Sequence, residues 1–397
     1  MCYALAIVDK LISQFVDCEN REIVEWLSLI DFRETQRVIL HGRALGTGLE
    51  PMQSEKYRRW RDGDTKMLWM PGLHAAGKTM TAAGLVNDLD EYFKDSNVAV
   101  VCAFCDFRQS NIQSTKNLLS AMLRQIVESC PVVPPTVASL YEYHSSKSSF
   151  PRFDEIVATF SAVAQGFNRI FVIVDALDEC LDDQTRSLLT HTLSSFSVNL
   201  LFTSRPDPSI EQIFEGWTRL DIHASQHDLR IYAEQRFELS RLAQQCGVDL
   251  KQKILEQVVQ KADGMFVLAR LHLDALMNVS KIGEALEVLE NVPSGVHRTY
   301  EKTMQRISSA SNPETTRLAL CSLLWVTFAR RVLVISELQE VINIMSKPTA
   351  DTSQNLEHRL SIGKESVISA CAGLIEVEEN TAQVRLIHYT AYEYIIK

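Results

Sequence analysis

Two glycines, a lysine and a threonine at fixed spacing constrain this chain more than any other feature. They lie in Lys66-Met-Leu-Trp-Met-Pro-Gly72-Leu-His-Ala-Ala-Gly77-Lys78-Thr79-Met-Thr81, which contains Gly-x-x-x-x-Gly-Lys-Thr, the phosphate-cradling P-loop pattern. The glycines let the backbone curl so that its N–H groups point inward at phosphate oxygens. Lys78 supplies a cation that reaches the β- and γ-phosphates, and the Thr79 hydroxyl can ligate Mg²⁺. The candidate nucleotide-binding residues are Gly72, Leu73, His74, Ala75, Ala76, Gly77, Lys78, Thr79 and Met80. Such a loop must leave a strand and enter a helix, where the dipole and free N–H groups favour an anion. The flanks comply. Met67-Leu-Trp-Met70 is an apolar run of strand length, and Met80, Ala83, Leu85, Val86 and Leu89 fall at helical spacing.

A second acidic motif agrees with the first. Ile170-Phe-Val-Ile-Val-Asp175 is a buried-type strand ending in an acid, followed by Ala176-Leu-Asp178-Glu179. Open α/β sheets bind ligands at the carboxyl ends of their strands. A carboxylate there holds Mg²⁺ directly or through water, so Asp175 joins Thr79 as a metal residue. Asp178 and Glu179 lie just beyond, within reach of the metal shell or of an attacking water. A third strand ends in Thr203-Ser-Arg205-Pro206. Arg205 there either senses a γ-phosphate or is an ordinary surface arginine before a proline.

Along the chain, helix and strand alternate up to Pro206. Apolar strands over Asn97–Cys105, Asn168–Asp175 and Val198–Arg205 alternate with helices over Thr115–Cys130, Phe153–Phe167 and Asp183–Phe196. Continuous apolar strands between helices predict a parallel sheet covered on both faces. Pro131–Pro151 is rich in Pro and Ser and reads as a loop. Residues 1–30 read as a helix, Arg21–Phe32 as an amphipathic segment anchored by Trp26, and Gly42, Gly46 and Gly48 as a flexible connection. From Asp228 to Ser308 the pattern is helical. Two further helices, Thr315–Phe328 and Ser336–Met345, a polar loop from Lys347 to His358, a helix near Glu365–Cys371 and short strands at Gly373–Glu378 and Gln383–Tyr389 follow. Helices before a β-hairpin suggest a winged helix.

Composition narrows the class. The 397 residues suffice for two or three domains, and 46% hydrophobic with 23% charged residues is ordinary for a soluble globular protein. A net charge of -10 argues against non-specific nucleic-acid binding. The N-terminus lacks the basic region of a signal peptide, and Leu318–Ala329 is shorter than the roughly 20 residues that cross a bilayer, so a cytoplasmic location is expected. Nine cysteines without regular paired spacing fit a reducing compartment. Cys102-x-x-Cys105 lies on an apolar strand and reads as two buried small residues rather than a redox or metal site.

With these pieces in place the chain resembles the NACHT branch of the STAND P-loop NTPases, in particular the fungal heterokaryon-incompatibility and nephrocystin-like N-terminal proteins. The resemblance rests on Glu25-Trp-Leu-Ser-Leu-Ile-Asp-Phe32, the P-loop, Phe104-Cys-Asp-Phe-Arg108, the Asp175-Ala-Leu-Asp-Glu179 segment and Phe202-Thr-Ser-Arg-Pro206. It continues through Ala262-Asp-Gly-Met-Phe-Val-Leu-Ala269, Val292-Pro-Ser-Gly-Val-His-Arg-Thr-Tyr300, Leu324-Trp-Val-Thr-Phe-Ala329 and Val384-Arg-Leu-Ile-His-Tyr389. It implies an α/β P-loop NTPase sheet followed by an all-helical and a winged-helix domain. The expected divisions are an N-terminal helical linker region at 1–60, a NACHT nucleotide-binding domain at 61–225, a helical domain at 226–310 and a winged-helix domain at 311–397. It further implies a signalling switch that is closed with ADP, opens and self-associates with ATP, and resets by slow hydrolysis. ATP/ADP, or GTP/GDP, and Mg²⁺ are the expected cofactors, with Glu179, Asp178 and Arg205 as catalytic residues.

The resemblance also implies that His388 presents an imidazole to the β-phosphate of ADP; by its own residues, His388 is equally a histidine satisfied inside the winged helix. The chain departs from the family at His74 and Ala75, where relatives often carry Pro-Gly, and at Phe266, where many relatives place a proline against adenine. Family members usually carry an N-terminal effector domain and C-terminal repeats, and neither is legible here; a fragment, a degenerate product or a stripped-down switch would each read this way. Other readings are a metabolic P-loop kinase, against which the helical tail argues, DNA binding through the hairpin, against which Glu376, Glu378 and Glu379 argue, and a non-catalytic nucleotide-binding scaffold.

Overall fold

The structure is a computed structural model that describes residues 20–73, 75–109, 112–180, 183–240, 242–277, 283, 287–288, 290, 295–309, 312–345, 363–378 and 381–397. The expected helix over 1–30 falls largely outside the described residues, as does the polar loop from Lys347 to His358. The chain forms two compact units. The first holds residues 1–43, 48–73 and 78–222, and the second holds 44–47, 74–77 and 223–397.

The first unit is built on a five-stranded sheet in the order β2-β3-β4-β1-β5. Its strands are β1 (Met67–Pro71), β2 (Val98–Phe104), β3 (Arg169–Asp175), β4 (Asn199–Ser204) and β5 (Thr218–Arg219). Every pairing is parallel. The first four strands are buried along nearly their whole length, on both pleats. A strand buried on both pleats needs cover on both faces, which parallel crossover helices provide. This is the P-loop NTPase sheet the alternation predicts. The strand order adds something the sequence does not state: β4 lies between β1 and β3, so the ends of all three converge.

The segment before β1 belongs to this core. Ser54 caps the helix Glu55–Asp62 by accepting from the Tyr57 N–H, and Gly63 ends it with φ +97°. Tyr57 and Trp60 are fully buried. The Trp60 indole N–H donates to the Leu200 carbonyl at 2.9 Å, and Tyr57 Oη donates to Asp88 at 2.8 Å. Burying a large apolar side chain of this kind stabilises by about 2–3 kcal/mol, so this helix is a structural element of the sheet.

One expectation is corrected. Pro135–Ser146, read as loop, is a helix with Pro135 in its first turn. Proline is tolerated at that position because the N–H it lacks would be unpaired anyway. The helix presents His144 to Glu155 at 3.3 Å, and Tyr141 meets Trp26 edge-on at 5.2 Å.

The second unit is helical with a small sheet. Its helices include Gln226–Glu238, Val248–Ala262, Phe266–Met277, Val296–Ser308, Pro313–Phe328, Ile335–Met345, Lys364–Ala370 and Tyr389–Ile395. Strands β6 (Leu333–Val334), β7 (Ile375–Val377) and β8 (Gln383–Leu386) pair antiparallel in the order β6-β8-β7. One hydrophobic cluster runs from Ala224 to Ala391 through the whole unit. A second expectation changes here. β8 stops at Leu386, and Tyr389 begins a helix rather than ending a strand. His388, with extended backbone, is the N-cap of that helix.

Candidate functional site

Each glycine of the loop has a local reason. Gly72 donates its N–H to the Ser204 carbonyl at 3.0 Å and bridges to Ile222 beyond β5. A Cβ at Gly72 would lie 2.9 Å from the Ile222 carbonyl oxygen, so no larger residue lets the strand ends close this tightly. Gly77 has φ +90°, a conformation that L side chains rarely adopt. Ala75 adopts φ +55° without that freedom. Lys78 then opens the helix Lys78–Tyr92. The first N–H groups of a helix have no partner within it, which is what an anion site needs. His74 falls outside the described residues. Leu73 is exposed, Ala76 is buried, and Met80 is exposed at the first turn of the helix.

Lys78 Nζ donates to the Gly72 and Leu73 carbonyls, each at 3.0 Å. Burial lowers its pKa, and the charges of Asp178 and Asp175 pull the other way. The ammonium is therefore aimed into the loop and desolvated. Its attraction to an oxyanion is strengthened by the low local dielectric.

At the end of β3, Asp175 is 1% exposed. Thr203 Oγ1, from the neighbouring β4, donates to Asp175 Oδ1 at 2.5 Å and accepts the Ala176 N–H at 2.9 Å. Burial raises the Asp175 pKa, opposed by hydrogen bonds from Thr203 and Thr79 and by the Lys78 charge. A buried carboxylate that retains its charge wants a cation. Asp175 and Thr79 share a hydrogen bond, so both sit where one Mg²⁺ could be ligated, directly or through water. Mg²⁺ typically takes one or two protein ligands and completes its shell with phosphate oxygens and water, and this pair fits that habit. A bound Mg²⁺ would neutralise phosphate charge.

The segment after Asp175 turns sharply. Ala176 has φ +54°, and Leu177–Glu179 forms a single 3₁₀ turn. This places Asp178 against Arg205. Asp178 Oδ1 accepts the Arg205 backbone N–H at 3.0 Å and Oδ2 accepts its Nε at 2.5 Å. Arg205 and Asp178, expected separately as catalytic residues, are thus partners of one another. Glu179 stands beside Asp106, Asp178 and Asp175. Burial first, then those three charges, push its carboxyl up to about 8, with Arg108 acting in the opposite sense. A carboxyl with that pKa can accept a proton near neutral pH, which is what orientation and activation of a water need.

Three residues of this site are not singled out by the sequence motifs. Thr203 is one, a hydroxyl one strand over that is the natural donor to the buried acid. Asp106 and Arg108 close on each other, with Arg108 Nε 2.8 Å and Nη2 2.8 Å from the Asp106 carboxylate, and both bear on Glu179. Cys105 and Cys180 are buried with their sulfurs 3.2 Å apart. The partner of Cys105 is therefore Cys180 and not Cys102, which packs against Gln125. In the second unit, His388 Nδ1 accepts the Thr390 N–H at 3.2 Å.

A parallel sheet in this order, a glycine-lysine-threonine loop leaving β1 and a buried acid closing β3 define a P-loop NTPase fold, a nucleotide-binding class. Residues 46–205 match the family described as nephrocystin 3, N-terminal. The chain is also 24% identical over 364 residues to the vegetative incompatibility protein HET-E-1 of Podospora anserina, covering 87% of this chain and 25% of that protein. Together these matches support a NACHT-like family for this chain. The chain spans about a quarter of the curated relative it matches.

Among solved structures it is similar to the Aeropyrum pernix ORC1 protein in complex with DNA, with 16% identity, coverage of 90% of this chain and 94% of that one, and a TM-score of 0.38. It is also similar to AMPPCP-bound DnaA from Aquifex aeolicus, with 10% identity, coverage of 90% and 89%, and a TM-score of 0.34. No helix among the described residues is long and apolar enough to cross a membrane.

Proposed function

We propose that this protein is a nucleotide-dependent switch that binds ATP and ADP with Mg²⁺, hydrolyses ATP slowly and changes its assembly state with the nucleotide. The observation that carries the proposal is the grouping around Asp175: a buried acid bonded to Thr203 and Thr79, with Lys78 close enough to oppose its pKa shift. Lys78 and the N–H groups of the loop bind phosphate. Thr79 and Asp175 hold the metal. Glu179 orients and activates water. Asp178 fixes Arg205 at the end of β4, where the guanidinium senses charge on the terminal phosphate.

The signalling role, self-association in the triphosphate state, the winged-helix identity of the C-terminal hairpin and the cytoplasmic setting are proposed with it, on the NACHT-like resemblance. So are the absence of nucleic-acid binding and the domain divisions at 61–225, 226–310 and 311–397. GTP in place of ATP is the same reading with a different base. The role of His388 in retaining ADP belongs to it too. Because His388 also caps a helix, its test is His388→Asn, which keeps a capping acceptor and removes the imidazole. A faster ADP off-rate in that variant supports the role, and an unchanged one assigns His388 to capping alone.

The experiment for the whole reading is size-exclusion chromatography with light scattering, run with ADP and with a non-hydrolysable ATP analogue. A larger mass with the analogue than with ADP is expected. Identical masses, with binding established, favour the second reading, a non-catalytic nucleotide-binding scaffold, for which the pairing of Arg205 with Asp178 is the specific observation.

A further inference from the structure

Within the second unit, Phe266 touches the phosphate loop at two places. Its backbone N–H donates to the Ala75 carbonyl at 3.1 Å. Its ring edge covers Gly77, where a Cβ would meet Phe266 Cε2 at 3.2 Å and Cδ2 at 3.5 Å. Among the described residues of the loop, these are the two with positive φ, +55° and +90°. Ala75 in particular needs outside support, since a Cβ disfavours the left-handed region.

The peptide geometry gives this contact a direction. No described peptide bond is cis. In a trans peptide the C=O and the following N–H point opposite ways. With the Ala75 carbonyl held on Phe266, the Ala76 N–H must point away from Phe266. Ala76 also lies between two left-handed residues, the alternation that turns successive N–H groups into an anion-binding concavity.

The mount is firm. Phe266 is the first residue of the helix Phe266–Met277, and the Tyr232 ring meets its ring edge-on at 5.5 Å. Farther along that helix, Asp274 accepts from Arg236 Nη2 at 2.6 Å, and Arg270 Nη1 donates to Glu376 at 2.6 Å.

We propose that Phe266 is a positioning residue for the phosphate loop: its N–H and ring hold Ala75 and Gly77 left-handed and thereby aim the Ala76 N–H at the bound phosphate. The proposal rests on the nucleotide-binding reading and adds a residue far from the Gly-Lys-Thr motif. A proline at this position cannot make the bond, because it has no N–H.

The test measures affinity for a fluorescent ADP analogue by the full chain and by folded variants, with Lys78→Ala as the reference for the loop itself. Phe266→Pro removes both the donor and the ring, and suits the first position of a helix. It is expected to weaken binding about fivefold more than Phe266→Ala, which keeps the N–H, the usual scale for one hydrogen bond. Phe266→Ala removes the ring from Gly77 and is expected to weaken binding as well, so it carries the test if the proline variant does not fold. Adding Ala75→Gly to either variant lets the loop keep positive φ unaided, and is expected to recover most of the affinity. A merely structural role for Phe266 would show no such rescue. Folded Phe266 variants that bind as wild type, or a loss that Ala75→Gly leaves untouched, would overturn the proposal while a Lys78→Ala defect leaves the P-loop reading intact. If Lys78→Ala also binds normally, the nucleotide reading itself fails.

Discussion

Arg205 is held by Asp178 at two points, its backbone N–H at 3.0 Å and its guanidinium Nε at 2.5 Å. The side chains are 25% and 8% exposed, so the pair is largely withdrawn from water. Removing one member of such a pair leaves the other charge poorly solvated, while removing both does not. Asp178→Ala and Arg205→Ala are each expected to lower stability by about 2 kcal/mol, the partly exposed guanidinium reducing the fully buried figure. The double variant should lose less than the sum, with a coupling above about 1 kcal/mol in a denaturant double-mutant cycle. Additive losses would mean the two residues do not support each other.

Glu179 titrates at about 8, against 4.5 for an ordinary glutamate. Because the folded pKa is raised, the folded state favours the protonated carboxyl. The associated stability is fully present below pH 4.5 and is lost as pH rises through about 8. Glu179→Gln, a neutral mimic, should therefore melt a few degrees, about 3 °C, above wild type at pH 9 in chelator, with no difference near pH 4.5. The same group acts as a base only when deprotonated, so ATP hydrolysis by wild type should rise with pH across this range, and Glu179→Gln should be slower by about 10²-fold. Equal melting temperatures at pH 9 would contradict the raised pKa, and equal hydrolysis would remove Glu179 from the chemistry.

Thr203→Val keeps the shape of a fully buried side chain and deletes its hydroxyl. Asp175 then loses its 2.5 Å donor, and the Ala176 N–H loses its acceptor. An unsatisfied buried group costs about 1–3 kcal/mol, to be read from denaturant unfolding. The Asp175 pKa should rise further, so the Mg²⁺ concentration needed for half-maximal nucleotide binding should increase at pH 6. Unfolding curves that superimpose on wild type would rule out this arrangement.

How much of this was legible in the sequence depends on what kind of information each feature carries. Lys78, Thr79 and Asp175 sit in contiguous motifs whose residue types are dictated by phosphate and Mg²⁺, and the apolar strands announce a parallel sheet. The relation of Thr203 to Asp175 depends on β4 lying between β1 and β3, and strand order is not a local property of sequence. The helix Pro135–Ser146 was hidden because proline opens helices as well as breaking them. Trp60 is fully buried on a sheet formed mostly by residues far downstream, so its segment resembled a linker. His388 sits two residues beyond the end of β8, where a continuing strand and a helix cap look alike in an apolar-polar pattern.

Two glycines with similar backbone angles separate strain from contact. Gly77 has φ +90° with Phe266 3.2 Å from where a Cβ would sit, whereas Gly216 has φ +82° and open space around it. Gly216→Ala is expected to cost about 1–2 kcal/mol in stability, the price of a left-handed alanine, with nucleotide affinity unchanged. Gly77→Ala should carry that cost and also weaken nucleotide binding at least tenfold, measured by fluorescence titration. Normal affinity in a folded Gly77→Ala protein would mean the loop tolerates displacement from Phe266.

The central claim, that the Gly-Lys-Thr loop binds nucleotide phosphate, is tested most directly by titrating ADP into wild type and Lys78→Ala with calorimetry at one Mg²⁺ concentration, after matched circular dichroism and melting curves. The expected result is a saturable one-site isotherm for wild type and no measurable heat of binding for Lys78→Ala. Equal isotherms for two folded proteins, or no binding by wild type, would contradict the account.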